Sequence, residues 1–376
     1  MITNPLSVCW SRLDSARSIA ITKRSTFTAG SPILLPTAVP TGVAARGVVR
    51  SDPYHPTITK MTKTDVGYLW AARIVAIFGV IVAAGAALAN GPMLIHGHPA
   101  YLILLAAAFV ISVTVGVRSW RLTASRKSSS RGRRVVRGVL IGASALMIAV
   151  IAWLVPSAAE APALAAMTSD RTVTVMENST EIVLTPTGTE SRVGVFFQPG
   201  ARVDARAYSA ILRPLAEAGH LVIITKQPFG IAFLSTGAFA AARAEHHPVT
   251  RWVVGGHSLG GLVAATDAET YATSDRDPVV GLLFFASYPA TNISDVNVKV
   301  LSISGSNDGL STPAKVNASK STLPAATSYL EVKGGVHAFF GDYGPQDGDG
   351  KPAISHDQAR AQISAASVEF VNGLSG

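Results

Sequence analysis

The segment TRWVVGGHSLGGLVAAT, residues 250–266, passes from β-branched and aromatic residues to glycines and then to small, helix-forming residues. This change predicts a buried strand, a tight turn and a helix in immediate succession. A tight turn requires small residues, but it does not require a polar side chain at its apex. Ser258 nevertheless occupies the apex, between Gly256 and Gly260. This placement indicates a chemical role for the Ser258 hydroxyl.

Strand and helix patterns alternate on both sides of this segment. Residues 172–177 and 180–186 predict an opening hairpin, and five further apolar runs predict strands that alternate with helices. Such alternation is typical of an α/β domain with a mostly parallel, doubly wound sheet. Ligand sites in these sheets lie beyond the carboxyl ends of the strands. The sequence therefore predicts one α/β domain over residues 171–376, with Ser258 at its functional edge.

Residues 256–260 fit the G-x-S-x-G pattern of a nucleophile elbow, in which a strained turn exposes a serine above the sheet. Gly256 and Gly260 lack side chains that would clash with the neighbouring strand and helix. We interpret His257, next to the serine, as a residue that packs in or shapes the turn. The elbow hypothesis makes Ser258 the candidate nucleophile.

A serine nucleophile needs a histidine base and an acid that orients the histidine. Asp308, in VLSISGSNDGLS, follows one predicted strand, and His337, in YLEVKGGVHAFF, follows the next. Both therefore lie at the same predicted sheet edge as Ser258, in the chain order serine, acid, histidine. Asp267 is a weaker candidate because it lies within the helix after the elbow and should point away.

The candidate oxyanion hole uses two backbone N–H groups. The first is that of Leu259, at the helix N-terminus directly after the serine. The second should come from the loop QPGARVD after the first central strand. Pro199 has no N–H, so Gly200 or Ala201 must donate, and we favour Ala201.

The quoted motifs, together with GVFFQPGARVDARAYSAILRPLAEAGHLVIITKQPFGIAFL and GGVHAFFGDYGPQDGDG, resemble α/β-hydrolase family 5, which is related to dienelactone hydrolases. The resemblance covers nearly all of residues 180–374. It implies an α/β-hydrolase fold with Ser258 as nucleophile, Asp308 as acid and His337 as base, and it implies neither a metal nor a cofactor. Dienelactone hydrolases carry a cysteine nucleophile, so the serine here argues against their substrate.

Two loops bear on ligands. The acidic run GDYGPQDGDGK could indicate Ca²⁺, but its spacing departs from the EF-hand pattern, and we favour a loop that borders the site. The connection YPATNISD is too short to hold a cap domain. An open apolar site then favours esters or thioesters of modest size, with Phe229 and Phe233 among the candidate lining residues and ordinary core packing as the equal alternative.

The formal net charge of +9 is unevenly distributed. Residues 1–166 contain 17 of the 32 basic residues but 4 of the 23 acidic ones, so the α/β part is mildly acidic. This distribution makes nucleic acid a poor candidate partner. The single cysteine, Cys9, excludes a disulfide in the α/β domain.

Three apolar runs, residues 69–89, 101–117 and 138–155, each approach the ~20 residues that a membrane-spanning helix needs. They predict an integral membrane region over residues 61–155. The stretch between the second and third runs contains eight basic residues and no acidic one. The positive-inside rule therefore predicts a cytoplasmic N-terminus and a catalytic domain outside the cell membrane.

Two segments outside these regions have no clear pattern. Residues 1–60 predict disorder or a wrongly assigned start, with a targeting segment as the alternative. Residues 156–170 are mostly small residues, and this composition predicts a linker. The whole sequence predicts a membrane-anchored serine hydrolase that cleaves small-molecule carboxylic esters or thioesters. The alternatives are an acyltransferase acting on a cell-envelope acceptor and a catalytically silent envelope-binding protein.

Overall fold

The computed structural model describes residues 63–121 and 130–375. The predictions for residues 1–60 and for Cys9 fall outside the described residues. The described chain begins with four helices, followed by an eight-stranded sheet with helices on both faces. The first four helices are α1 (Lys63–Ala89), α2 (Gly91–His96), α3 (Pro99–Arg121) and α4 (Arg131–Trp153).

Three helical segments are long and apolar enough to cross a membrane: Val66–Ala89, Pro99–Arg121 and Arg131–Trp153. The third begins at Arg131, earlier than the predicted residue 138. The reason is local: arginine is a good helix former, and the Ser130 hydroxyl caps the helix by accepting a hydrogen bond from the Arg133 N–H. Four of the arginines predicted in a loop therefore lie on the first turns of α4.

The three long helices share one apolar cluster near one end of the bundle. Ala86 of α1, Tyr101 and Leu105 of α3, and Ile151 of α4 are buried together there. The end of α1, the start of α3 and the end of α4 consequently lie at the same end. The basic residues at the end of α3 and the start of α4 lie at the other end.

The sheet has the strand order β1-β2-β4-β3-β5-β6-β7-β8. From β4 to β8 all neighbouring strands are parallel, whereas β2 is antiparallel to both β1 and β4. The predicted α/β-hydrolase fold with a mostly parallel sheet is confirmed. The strands are β1 (Val173–Glu177), β2 (Glu181–Pro186), β3 (Val193–Gln198), β4 (Val222–Thr225), β5 (Arg251–His257), β6 (Val279–Phe285), β7 (Lys299–Gly305) and β8 (Ser328–Val332).

Helices cover both faces of this sheet, and each face has its own apolar core. Every residue of β3 and of β4 is buried, as expected for strands covered on both sides. The helices of this part are α5 (Ala163–Ala166), α6 (Ser209–Glu217), α7 (Ala238–Glu245), α8 (Leu259–Tyr271), α9 (Pro313–Ser319) and α10 (His356–Asn372).

The segment predicted as a linker, residues 156–170, packs against the α/β domain. Ser157 donates its N–H to the Arg202 carbonyl at 2.7 Å, and Glu160 donates to the Asp342 carbonyl at 2.8 Å. Ala163, in the short helix α5, is fully buried. Small residues are common in flexible linkers, but they also fit closely against a folded surface, and composition alone does not separate these cases.

Candidate active site

The turn between β5 and α8 is strained at Ser258, whose φ is 51° and ψ −120°. A non-glycine residue holds such a conformation only where the surrounding structure imposes it. A Cβ on Gly256 would lie 2.4 Å from the Gly260 carbonyl carbon, and one on Gly260 would lie 2.0 Å from the Gln198 carbonyl oxygen. The turn therefore requires glycine at both positions.

The backbone of Ser258 is held from β6 and the residues after it. Its N–H donates to the Phe285 carbonyl at 3.0 Å, and its carbonyl accepts from the Ser287 hydroxyl at 2.7 Å. Among the described residues, none hydrogen-bonds the Ser258 hydroxyl. The fold thus fixes the backbone of this half-buried serine and leaves its side-chain oxygen available for chemistry.

Asp308 and His337 form a buried pair. The His337 Nδ1 lies 2.9 Å from the Asp308 Oδ2, and the two side chains are 1% and 0% exposed. The other carboxylate oxygen of Asp308 accepts the N–H groups of Leu310 and Ser311 at 2.8 and 2.7 Å. This arrangement orients the imidazole. It leaves Nε2, which is buried and has no hydrogen-bond partner in the described part of the chain, for proton transfer.

The structure brings the predicted site residues to one edge of the sheet. Ser258 follows β5, Asp308 follows β7 and His337 follows β8. The His337 ring centroid is 4.6 Å from that of His257, the residue directly before Ser258. The three residues therefore lie at the same carboxyl edge of the parallel strands.

His257 takes part in a hydrogen-bond chain that the sequence did not reveal. The Gly200 N–H donates to the Tyr208 hydroxyl at 2.9 Å, and the same hydroxyl is hydrogen-bonded to the His257 Nδ1 at 2.8 Å. Burial, with a smaller effect from His337, holds the pKa of His257 well below its usual range. His257 is therefore neutral and links the turn to the loop after β3.

These hydrogen bonds limit which N–H groups can form the oxyanion hole. The Gly200 N–H is used by Tyr208, which leaves Ala201 as the candidate donor in that loop. The loop is fixed on its other side, where the Arg202 N–H donates to the Gly230 carbonyl at 2.8 Å. Leu259 is the first residue of α8, and N–H groups in the first turn of a helix have no intrahelical acceptor. The two candidate donors follow the neighbouring strands β3 and β5.

A sequence comparison relates this part of the chain to a known family. Residues 194–361 match the model of a family described as the alpha/beta hydrolase family. The C-terminal domain has the alpha/beta-hydrolase fold. No curated protein matches the chain significantly.

Several solved structures resemble this hydrolase domain at low identity. A predicted CIB-like hydrolase from Thermoplasma acidophilum is 16% identical, with 54% of this chain and 99% of that chain covered and a TM-score of 0.41. A thermostable esterase from Pseudomonas putida is 17% identical, with coverages of 56% and 86% and a TM-score of 0.39. A monoacylglycerol lipase from Paleococcus ferrophilus is 16% identical, with coverages of 53% and 98% and a TM-score of 0.39.

Asp349 lies in the acidic run that was predicted to border the site, and its own contacts are with backbone groups of the candidate site. One of its carboxylate oxygens accepts the N–H groups of Gly309 and His337, both at 3.1 Å. The other accepts the Ala338 N–H at 2.8 Å. The carboxylate thus joins the loop of Asp308 to the loop of His337. No local pattern indicates this, because the partners are backbone groups distant in sequence.

The variant Asp349→Asn is expected to lower kcat for ester hydrolysis by about 10- to 100-fold with little change in KM. In this variant the asparagine NH₂ group would face the Ala338 N–H, which is also a donor. The two donors cannot bond each other, so the His337 loop should shift. Steady-state kinetics, normalised by active-site titration, measures the effect. Asp347→Asn is the matched control, because Asp347 is exposed in the same loop. An unchanged kcat would remove Asp349 from the group of positioning residues.

Asp267 is buried in the hydrolase domain and accepts a hydrogen bond from the Gln198 Nε2 at 2.8 Å. It had been predicted to point away from the site, and its contact is with the end of β3. Burial raises the pKa of Asp267 to about 7. The folded domain therefore favours the neutral carboxyl group well above the pH at which an unfolded chain would ionise it, about 3.9.

This pKa shift predicts a pH dependence of stability. Neutral Asp267 adds about 4 kcal/mol to the free energy of unfolding. This stabilisation is fully present below about pH 3.9 and is lost as the pH rises to about 7. Asp267→Asn keeps an acceptor for Gln198 but cannot ionise. We expect its thermal unfolding temperature to fall less between pH 4.5 and 7.5 than that of the parent protein. Equal pH dependence in both proteins would contradict the assignment.

One group of side chains in the described ranges has the spacing to hold a metal ion. Ligand atoms of Glu181, Glu245 and His246 lie within 4.8 Å of one another. Glu245 is exposed, and the group belongs to β2 and the end of α7, whereas Ser258 follows β5. In the acidic run considered for Ca²⁺, Asp342 instead pairs with Arg360 at 2.8 Å.

Proposed function

We propose that the protein is a membrane-anchored serine hydrolase that cleaves carboxylic esters or thioesters through an acyl-enzyme on Ser258. The observation that carries the proposal is the buried 2.9 Å hydrogen bond between Asp308 and His337 at the sheet edge that also holds the strained Ser258. A buried acid–histidine pair beside an unpaired serine hydroxyl is the arrangement that nucleophilic acyl transfer requires.

In the first step the His337 Nε2 takes the Ser258 proton as the oxygen attacks the substrate carbonyl carbon. Asp308 keeps the proton of the imidazole on Nδ1 and stabilises the imidazolium that forms. The N–H groups of Leu259 and Ala201 stabilise the negative charge that develops on the carbonyl oxygen. The leaving alcohol or thiol then receives the proton from Nε2.

In the second step water replaces the leaving group. His337 accepts a proton from the water, the resulting hydroxide attacks the acyl-enzyme carbonyl, and Ser258 leaves with the proton from Nε2. The products are a carboxylic acid and an alcohol or thiol. The reaction consumes one water molecule and needs no other co-reactant.

The full-length protein in detergent tests this proposal. We expect it to hydrolyse p-nitrophenyl butyrate and to be labelled by a fluorophosphonate on the peptide that contains Ser258. Labelling at Ser258 without hydrolysis, but with ester formation when an alcohol is added, would favour the acyltransferase alternative. A folded protein that is neither labelled nor active would favour a binding role.

The anchoring part of the proposal rests on the three long apolar helices and on the arginines at one end of them. The positive-inside rule assigns that end to the cytoplasm. The hydrolase domain, which follows the opposite end of α4, would then lie outside the cell membrane.

Topology can be measured with reporters fused after Gly376. We expect alkaline phosphatase to be active there and a cytoplasm-dependent fluorescent protein to be dark. Substituting the basic residues at the start of α4 with serine should weaken this preference. Fluorescence at the C-terminus of the parent protein would reverse the proposed orientation.

A further inference from the structure

The membrane helices contact the hydrolase domain near the candidate active site. At the end of α4, the Trp153 carbonyl accepts a hydrogen bond of 2.6 Å from the Arg202 Nη1. The Arg202 guanidinium also lies 4.7 Å from the centre of the Trp153 ring. Phe229 and Ile231 pack against the apolar cluster at the same end of the helices. The His96 Nδ1, at the end of α2, lies 3.0 Å from a Glu177 carboxylate oxygen.

These contacts all involve the carboxyl edge of the sheet. Glu177 ends β1, Arg202 follows β3, and Phe229 follows β4. The strands β4, β3 and β5 are consecutive neighbours. Adjacent strands are about 4.8 Å apart, so the turn that carries Ser258, after β5, lies about 10 Å across the sheet from the loop of Phe229, after β4. The candidate active site therefore lies at the face of the domain that meets the apolar helices.

An exposed apolar pair follows directly after the residues that pack on the helix ends. Phe233 and Leu234, here called the apolar ridge, are 54% and 55% exposed. Their turn, Ala232–Leu234, follows Ile231 directly and packs against α8, the helix that begins after Ser258. The ridge is thus continuous with the residues that pack on the helix ends. A large exposed aromatic and a leucine at this place are unfavourable in water but favourable in contact with lipid.

From these positions we infer that the active site opens towards the membrane surface and that its substrate is an acyl ester of an amphipathic lipid in the same bilayer. The acyl chain contacts the apolar ridge, and the ester carbonyl reaches Ser258. The inference rests on the proposed function and names its substrate class. It narrows the proposed carboxylic ester substrates to esters that are held in the bilayer.

The chemistry is that of ester hydrolysis on a lipid. The bond between the acyl carbon and the ester oxygen breaks, and the alcohol part of the lipid leaves with the proton from His337. Water then supplies the hydroxyl group of the released fatty acid and a proton for Ser258. The fatty acid and the lipid alcohol are both amphipathic, so both products can return to the bilayer.

The full-length protein in phosphatidylcholine vesicles tests this inference with two substrates. One is a long-chain fluorogenic ester, 4-methylumbelliferyl oleate, which partitions into the bilayer, and the other is soluble p-nitrophenyl acetate. The double variant Phe233→Ser with Leu234→Ser should lower the ratio of kcat/KM for the oleate to kcat/KM for the acetate at least about tenfold. Tyr329→Ser is the control, because Tyr329 is an exposed aromatic side chain on the edge strand β8.

The outcomes separate this inference from the proposed function. An unchanged ratio in the double variant, with acetate hydrolysis intact in the parent, would overturn the lipid inference and leave the esterase in place. Absence of hydrolysis of either substrate by the parent protein would overturn the proposed function itself. An equal fall with both substrates would also overturn the inference, since it indicates general damage to the site.

A second measurement does not depend on activity. With Cys9 replaced by serine, single cysteines at positions 233 and 329 can each carry a nitroxide spin label. We expect the label at 233 to be more accessible to oxygen, which concentrates in lipid, than to a water-soluble nickel complex. The label at 329 should show the opposite preference. A water-exposed label at 233 in vesicles would contradict a site that faces the membrane.

Discussion

Ester hydrolysis by the Ser258→Ala variant is expected to fall by about 10⁴- to 10⁶-fold in kcat. The turn is held through the backbone of Ser258, whose N–H and carbonyl bond Phe285 and Ser287. Alanine keeps both bonds and loses only the attacking oxygen. The variant should therefore fold normally and lose the covalent step along with the fluorophosphonate label.

The measurement is burst and steady-state hydrolysis of p-nitrophenyl butyrate, with thermal unfolding as the test of folding. Ser328→Ala is the matched control, because Ser328 is an exposed serine at the start of β8. A folded Ser258→Ala protein that retains more than about a hundredth of the parent activity would require another nucleophile.

The variant Asp308→Asn should lower kcat/KM by about 10⁴-fold, the size of effect seen when a histidine base is held in the wrong tautomer. The oxygen of Asp308 that accepts from Leu310 and Ser311 must remain an acceptor, since both partners are N–H donors. An asparagine would therefore place its carbonyl oxygen there and direct its NH₂ group at His337. The imidazole must then accept at Nδ1 and carry its proton on Nε2, where it cannot take the Ser258 proton.

This prediction distinguishes the role of Asp308 in orienting His337 from a simple effect of its negative charge. The pH profile of kcat/KM in the variant should show recovery at high pH, where hydroxide can replace the missing base. Asp347→Asn, an exposed substitution of the same type, should leave the rate within about twofold of the parent. A parent-like rate for Asp308→Asn would mean that another group orients His337.

The strands and the order of the site residues could be read from the sequence because their signals are local. β3 and β5 are short β-branched runs, and Gly256 is required by its contact with Gly260 in the same turn. Asp308 and His337 could be placed because each follows such a strand. Their separation in space follows from the strand order of a parallel sheet.

The remaining features depend on contacts between residues distant in sequence. Tyr208 joins Gly200 to His257 through a hydroxyl group that no local pattern distinguishes from a core tyrosine. Asp349 bonds backbone N–H groups from two loops, and an acidic glycine-rich run reads equally well as a solvated turn. The packing of residues 156–170 could not be predicted for a similar reason, because a run of small residues has no hydrophobic periodicity that would indicate a buried face.

The contact between Arg202 and the end of α4 joins the long apolar helices to the loop that carries a candidate oxyanion donor. Arg202 follows Ala201 directly, its side chain bonds Trp153, and its carbonyl accepts the Ser157 N–H. A soluble fragment that begins at Met167 would lack both partners, and the loop that carries one oxyanion donor would lose this support. We therefore expect that removal of the apolar helices, even from a domain that still folds, would loosen the loop of Ala201 and weaken the candidate site.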